Sequence, residues 1–135
     1  MAKVNLSGRY VLDKSENFEA FLKALNVGII HRKMAGKVTP TVEIEQNGDT
    51  IVIKTSTTLK NQHQKFKIGE EFMSNITWGE RDSRVRAYWE GERLVISPVE
   101  DDEDLPTITR EIIDGKLVLT QQIRNVVAKR YFVSC

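Results

Sequence analysis

The sequence predicts a mainly β fold in which antiparallel strands close into a barrel and a helix pair covers its mouth. Outside one early stretch with helical spacing of apolar residues, positions 41–132 read as short strands with period-two alternation. Turn residues, mostly with glycine, separate those strands at hairpin spacing, which favours pairing of each strand with the next. Many short antiparallel strands with a single helix pair are typical of a closed barrel.

The N-terminal part is predicted to combine one strand with the first helix. Positions 6–12 read as a short β segment, and Ser15 and Asn17 are the candidates for the residue that starts the helix. The helix has one apolar face at the spacing i, i+3, i+4 and i+7, formed by Phe18, Phe21, Leu22 and Leu25. We expect this face to turn toward the barrel.

A second helix is predicted from position 29 to about position 37. One side of it carries Ile30, Met34 and Val38, and the other largely carries His31, Arg32 and Lys33. The pair Thr39-Pro40 ends the helix, because the residue before a proline is disfavoured in helical conformation. The two helices form a helix-turn-helix in the geometric sense only, since a DNA-reading pair needs a basic recognition face.

The remainder of the chain is predicted to be a β meander. The predicted strands cover positions 41–46, 50–57, 59–68, 71–76, 83–90 and 93–98, with turns at 47–49, Gly69, Gly79 and 90–92. Asp114-Gly115 is the strongest hairpin signal and divides the last quarter into three further strands. The acidic run 100–104 is interpreted as a solvated turn, because adjacent carboxylates repel and no spaced ligand accompanies them.

Two arginines lie inside the last strands. Arg110 shares a face with Ile108 and Ile112 and is therefore on an apolar side. In the final strand Arg130 shares a side with Ala128 and Phe132, but the alternating pattern leaves open which side is buried. Arginines are rarely buried without a partner, so surface positions remain the alternative for both.

Several side chains on candidate inward faces are polar, which a barrel filled by its own side chains does not need. These residues are Thr55, Thr57, Gln62, Gln64, Thr120 and Gln121.

Composition narrows the function classes. The 135 residues fit one domain, 1–135, and 20 Lys and Arg against 19 Asp and Glu give a net charge of +1, which argues against a nucleic-acid partner. No apolar run has signal-peptide or membrane-spanning length, and Cys135 alone cannot form an internal disulfide. We therefore expect a soluble intracellular protein.

The sequence offers little catalytic chemistry. His31 and His63 are the only histidines, and neither a phosphate loop, a nucleophile motif nor metal-ligand spacing is present. We predict no enzyme activity, no cofactor and no metal site. A small barrel enzyme and a nucleic-acid-binding barrel are the alternatives from other classes.

Several motifs resemble one family over essentially the whole chain. They are Asn5-Leu-Ser-Gly-Arg-Tyr, Ser15-Glu-Asn-Phe-Glu, the run from Ala24-Leu-Asn-Val-Gly to Arg32-Lys-Met, Thr39-Pro40, Gln46-Asn-Gly-Asp, Phe66-Lys-Ile-Gly-Glu-Glu-Phe, Trp89-Glu-Gly-Glu-Arg-Leu and Arg110-Glu-Ile-Ile-Asp-Gly-Lys-Leu. In these motifs the chain resembles the intracellular lipid-binding proteins, which include fatty-acid-binding and cellular retinoid-binding proteins. The resemblance implies a ten-stranded antiparallel up-and-down barrel (a β-clam) with a helix-turn-helix lid and an internal lipid cavity.

The resemblance also implies a ligand site. Acid binders of the family hold the ligand carboxylate with two arginines and a tyrosine, and Arg110 and Arg130 match the arginine positions, whereas Phe132 occupies the tyrosine position without a hydroxyl. The implied cavity residues are Phe18, Thr55, Gln64, Leu119, Gln121 and Phe132. Retinol binders have glutamine in place of Arg110 and lysine in place of Val42. These differences favour a long-chain fatty acid or similar carboxylate, with a retinoid as the alternative.

Two surface features follow from the same resemblance. Val27, Ile30, Met34 and Leu59 match the family's portal, although they could simply pack the lid. Lys23, Arg32 and Lys33 match basic lid positions that are associated with transient membrane contact and, in some members, with ligand-dependent nuclear import; a solvated helix face is the alternative. A monomeric, cytoplasmic and partly nuclear carrier is the expectation.

Overall fold

A computed structural model describes residues 4–58, 60–74 and 82–135 of the chain. Within these residues the elements are β1 Gly8–Glu16, α1 Phe18–Ala24, α2 Ile29–Lys37, β2 Thr41–Asn47, β3 Thr50–Ser56, β4 Asn61–Lys67, β5 Glu71–Ser74, β6 Ser83–Glu90, β7 Arg93–Pro98, β8 Thr107–Ile113, β9 Lys116–Ile123 and β10 Val126–Ser134. The predicted second helix and the β meander are confirmed. The predicted strand positions 59, 75 and 76 and the turn at Gly79 lie outside the described residues.

The ten strands form one antiparallel sheet in the order β4-β3-β2-β1-β10-β9-β8-β7-β6-β5. Each strand pairs with the next strand in sequence except β4 and β5, which the described residues do not join by a ladder, and β1 pairs in addition with β10. The pairing of the first strand with the last curls the sheet into a nearly closed barrel, which confirms the predicted fold class. The inward face carries the apolar core, including Ile44, Ile51, Ile53, Phe66, Val85, Leu94, Ile96, Leu117 and Ile123.

The N-terminal strand extends further than the sequence predicted. β1 continues to Glu16, so the proposal of Ser15 as a helix-start residue is wrong. Asn17 is the residue that precedes α1, but it adopts a left-handed conformation and makes no side-chain cap. Its amide donates to the carbonyl oxygen of Val127 instead, at 2.9 Å. The register of β1 against β10 shifts between Leu12 and Lys14, which marks a β-bulge.

The lid helices differ in how they are buried. The apolar face of α1 is seated on the barrel through Phe18, Phe21 and Leu22, as the spacing predicted. In α2 only Ala35 is buried, while Ile30 is 70% exposed and Met34 is 41% exposed. The second helix therefore leaves its large apolar side chains at the surface. No helix among the described residues is long and apolar enough to cross a membrane.

Two of the predicted inward polar residues are placed elsewhere. Thr57 follows the end of β3, where its backbone amide donates to the carbonyl oxygen of Lys60. Thr120 lies opposite Thr109 and Lys129, on the outer face of the sheet, because its neighbour Gln121 occupies the inward face. Two adjacent strand residues cannot both face inward, so the proposal for Thr120 is wrong.

Candidate functional site

Both predicted arginines lie in one cross-strand row on the inward face of the barrel. Arg110 of β8 and Arg130 of β10 are each directly opposite Leu119 of β9, and the row continues to Ser15 of β1 and Leu94 of β7. Strands in a sheet are about 4.8 Å apart, so the two arginine backbones are separated by roughly 10 Å. Antiparallel pairing thus brings together two residues that are twenty positions apart in sequence.

Arg130 is held in place by two contacts from the N-terminal part of the chain. Its side chain is 5% exposed. Its Nε donates to Ser15 Oγ at 3.0 Å, and its guanidinium carbon lies 3.9 Å from the centroid of the Phe18 ring. A guanidinium stacked on an aromatic face is stabilised by the ring quadrupole. These contacts orient the guanidinium group of Arg130, and the contact with Phe18 connects it to helix α1.

Arg110 faces the inside of the barrel and forms no hydrogen bond or ion pair with the described residues. Its Nη1 is buried without a hydrogen-bond partner among the described residues. In that part of the chain neither Arg110 nor Arg130 forms an ion pair with a carboxylate. The Arg110 side chain keeps some accessible surface, as does Leu119 beside it, although both point inward.

The two guanidinium groups make the inner wall electropositive. Burial lowers the pKa of Arg110 to about 10 and the pKa of Arg130 to about 10, because each charge has lost contact with bulk water. Both pKa values lie well above 7, so both groups are cationic at neutral pH. Isolated buried charges are unfavourable for folding, and such groups cluster at functional sites. The arrangement can accept a carboxylate in a fixed orientation.

Phe132 faces inward and Tyr131 faces outward. Phe132 is 2% exposed and lies opposite Leu12 and Leu117. The Tyr131 ring lies on the outer face, with Lys14 Nζ 4.7 Å from its centroid. The residue two positions after Arg130 therefore contributes an apolar ring and no hydroxyl to the inner wall.

The remaining predicted cavity residues are also on inward faces. Thr55 and Gln64 belong to neighbouring strands, where Gln64 lies opposite Ile53 and Thr55 lies opposite Gln62. Gln121 is 5% exposed, and its Oε1 has no hydrogen-bond partner among the described residues. Their role in ligand binding stays a prediction, as does that of Phe18, Leu119 and Phe132.

The predicted portal residues lie on the lid and beside it. Val27 is partly buried against the core, whereas Ile30 and Met34 are exposed on α2. Leu59, the fourth predicted portal residue, lies outside the described residues. Ile30 contributes little to packing of the lid because most of its surface is exposed, and the portal role of these residues stays a prediction.

The three lid cations are not equivalent. Lys23 and Lys33 are exposed. The Arg32 side chain is 15% exposed; its Nη1 donates to the carbonyl oxygen of Val27 at 2.7 Å, and its Nε lies 3.9 Å from Glu19 Oε1. Arg32 therefore stabilises the turn between the two helices. The exposed positive charge of the lid comes from Lys23 and Lys33.

The gap in the barrel lies between β4 and β5, which are the two edge strands of the sheet. A cavity of about 380 Å³ is lined there by side chains of both sheet faces, including the inward Gln62, Gln64 and Phe72 and the outward His63. Gln64 Nε2 donates to Ser74 Oγ across the gap. Neither arginine borders this cavity. Among the described residues no group of three or more His, Cys, Asp or Glu could hold a metal ion.

The contact between Ser15 and Arg130 is not predicted by the alternation of the sequence. Period-two alternation within β1 places Tyr10 and Leu12 inward, but the bulge after Leu12 brings Ser15 onto the same face three positions later. A β-bulge has no reliable sequence signature, and the hydrogen bond to Arg130 spans 115 positions. Only the paired structure reveals this contact.

Comparisons with known proteins agree with the geometry. Residues 7–132 match the sequence profile of the lipocalin / cytosolic fatty-acid binding protein family. The chain is 39% identical over 129 residues to a fatty acid-binding protein of Tyrophagus putrescentiae, covering 96% of this chain and 97% of the other. It is 38% identical over 135 residues to cellular retinoic acid-binding protein 2 of Homo sapiens, with coverage of 96% and 97%.

A solved structure gives the same result for the fold. The REP1-NXSQ fatty acid transporter superposes with a TM-score of 0.88 at 35% identity, covering 96% of each chain. The profile match, the two relatives and this structural similarity each extend over nearly the whole chain. The protein therefore belongs to the lipocalin / cytosolic fatty-acid binding protein family.

Proposed function

We propose that this protein is a carrier that binds a long-chain fatty acid or a similar hydrophobic carboxylate inside the barrel. The observation that supports the proposal most strongly is the pair of inward arginines, Arg110 and Arg130, neither of which has a carboxylate partner in the described part of the chain. An anionic ligand group would neutralise both charges and restore the hydrogen bonds that burial removed.

Affinity and orientation come from different parts of the ligand in this proposal. Removing a hydrocarbon tail from water contributes about 0.8 kcal/mol for each CH₂ group, so a long chain supplies on the order of 10 kcal/mol before ordering costs. The arginines add direction, because a bidentate guanidinium contact requires one carboxylate geometry. The tail then extends along the apolar inward face.

A retinoid is the second candidate ligand. Its support is the similarity to cellular retinoic acid-binding protein 2, and retinoic acid would present a carboxylate to the same two arginines. Retinol fits less well, because a hydroxyl group would leave two buried cations without a counter-charge.

The identity of the ligand can be tested directly. Protein purified under native conditions should release a lipid on extraction, and mass spectrometry of the extract should find fatty acids in about one-to-one ratio with protein. Calorimetric titration of delipidated protein should then rank a fatty acid, its alcohol and retinoic acid. A protein that binds the alcohol as tightly as the acid would refute the carboxylate proposal.

We propose that the protein works by binding alone, as a monomeric cytoplasmic carrier without catalysis. The support is chemical: His31, His63 and Cys135 are all exposed and do not face the interior of the barrel. No nucleophile with an adjacent base borders the arginines among the described residues. We also expect ligand-dependent nuclear uptake, because the basic lid positions match those associated with import in some family members.

We propose that the ligand passes the lid at α2 and that this face contacts membranes transiently. Ile30 is 70% exposed, and the exposed Lys23 and Lys33 supply positive charge on the same lid. A cation near an anionic leaflet contributes about 1 kcal/mol, which is enough for transient docking and too little for anchoring.

Transfer of a fluorescent fatty acid to vesicles tests the membrane proposal. The transfer rate should rise with anionic lipid content and fall with salt, and Lys23→Glu with Lys33→Glu should abolish both dependences. Lys54→Glu with Lys65→Glu, at exposed positions on β3 and β4, is the matched control. A rate that ignores vesicle charge and concentration would show that release is through water.

A further inference from the structure

Gln121 is a buried amide that the protein leaves unsatisfied. Its side chain is 5% exposed, and Oε1 has no hydrogen-bond partner among the described residues. Its direct cross-strand neighbours on the inward face are Ile108 and Ala128, which offer no polar side-chain atom. Burying an amide oxygen without a hydrogen-bond partner is unfavourable. A donor from outside the described residues would remove this cost.

The position of Gln121 relative to the arginine row is defined by the strand register. Gln121 is two residues beyond Leu119 on β9, so it shares the inward face and lies about 7 Å along the strand from the row. It is displaced toward the lid, because the turn that follows β9 contacts the lid: Arg124 Nη2 donates to the carbonyl oxygen of Ala24 at the end of α1. A ligand whose carboxylate meets the arginines and whose tail runs toward the lid passes Gln121.

We propose that Gln121 binds a hydroxyl group on the chain of the ligand, and that hydroxylated long-chain fatty acids are therefore a preferred ligand class of this carrier. The inference rests on the proposed carrier function and deepens it. A hydroxyl can donate to Oε1 and also accept from Nε2, so it satisfies both ends of the amide. A ketone oxygen can only accept and leaves Oε1 without a partner.

The main alternative role for Gln121 is to orient the side chain of Arg110 and not to bind the ligand. The Arg110 Nη1 is also buried and has no hydrogen-bond partner in the described part of the chain, and Arg110 lies diagonally across from Gln121 on the neighbouring strand. If Gln121 served to orient this arginine, its loss would weaken every carboxylate ligand equally, with or without a hydroxyl. A hydroxyl site instead changes the preference between two acids that have the same head group.

Competition binding on delipidated full-length protein separates these cases. The probes are hexadecanoic acid, its monohydroxy derivatives with the hydroxyl near the carboxylate, at mid-chain or at the terminal carbon, and the mid-chain keto derivative. Wild-type protein should favour one hydroxyl position over the parent acid and over the keto analogue. Gln121→Leu and Gln121→Met should lower that hydroxyl-to-parent affinity ratio about tenfold, the effect of one buried hydrogen bond.

Gln122→Leu is the matched control, because it makes the same change one residue later on the exposed outer face. It should leave the ratio unchanged. Equal losses for parent and hydroxylated acids in the Gln121 variants, or the same ratio in all proteins, would overturn the hydroxyl site while leaving the carrier function intact. Failure of wild-type protein to bind any of the acids would overturn the carrier function and the hydroxyl site together.

Discussion

The two sides of the barrel are built differently. On one side the strands from β7 through β10 to β1 form an unbroken hydrogen-bonded wall that carries the row from Leu94 to Ser15. On the other side β4 and β5 are edge strands without a ladder between them, and side chains span the gap. These are the Gln64–Ser74 hydrogen bond and the stacked rings of Phe66 and Phe72, whose centroids are 4.7 Å apart.

We expect the continuous wall to orient the ligand and the gap to allow local opening. Orientation of a charged group needs a backbone that holds side chains within narrow limits, and the continuous wall provides it. Among the described residues no ladder hydrogen bonds join the two strands that border the gap, so we expect the gap to open at a lower cost than the continuous wall. We expect head-group substitutions to act on affinity and gap substitutions to act on local opening.

The largest expected effect is the loss of one arginine from the wall. Arg110→Gln or Arg130→Gln should weaken binding of a fatty acid by about 2 to 5 kcal/mol, because the buried carboxylate loses one of its two charged partners. Binding of the corresponding alcohol should change far less. Calorimetric titration with the matched acid and alcohol measures both values.

Arg86→Gln is the control for the arginine substitutions. Arg86 is exposed on β6 and pairs with Glu71 at 2.8 Å, so its loss should leave both affinities unchanged. Equal losses for acid and alcohol in the Arg110 or Arg130 variants would place those arginines outside the head-group site.

A smaller effect is expected from Ser15. Ser15→Ala removes the acceptor that holds Arg130 Nε at 3.0 Å and should weaken acid binding several-fold, in line with the loss of a hydrogen bond to a charged group. Ser15→Thr keeps the hydroxyl and should restore most of the affinity. Displacement of a fluorescent fatty acid measures the change.

The alcohol ligand and a second serine serve as controls for this prediction. Alcohol binding should not respond to Ser15→Ala, and Ser134→Ala, at an exposed position on β10, should affect neither ligand. An unchanged or higher acid affinity in Ser15→Ala would mean that the serine competes with the ligand for Arg130 and does not position it.

The smallest effect is expected at the gap. Gln64→Leu should lower the free energy of unfolding by no more than about 1 kcal/mol, because one side-chain hydrogen bond is lost at a partly accessible site. Hydrogen exchange should nevertheless accelerate in β4 and β5 and remain unchanged in β9 and β10. Mass spectrometry of exchanged peptides resolves these regions.

Gln62→Leu is the matched control, because Gln62 lies on the same strand and face as Gln64 but forms no hydrogen bond with the described residues of β5. It should leave exchange in β5 at the wild-type rate. Acceleration throughout the barrel in Gln64→Leu would show that the gap opens only when the whole sheet unfolds, and the contrast between the two sides would then fail.

Local pattern alone determined much of this protein. Period-two alternation and turn residues such as Asp114-Gly115 identified the meander, the spacing of Phe18, Phe21 and Leu22 identified the buried face of α1, and alternation placed Arg110 on the apolar face of β8. These features depend on neighbours a few positions apart, so the sequence displays them directly. The near-neutral charge and the absence of catalytic motifs likewise come from residue identity alone.

Tertiary pairing decided the rest. The alternation in β10 was compatible with either face inside, and only pairing with β1 and β9 turned Arg130 and Phe132 inward. The bulge that brings Ser15 to Arg130 depends on a strand more than a hundred positions away, and so does the stacking of that guanidinium on Phe18. The unsatisfied oxygen of Gln121 is equally a tertiary fact, because hydrogen-bond satisfaction depends on every neighbour that packing brings to the site.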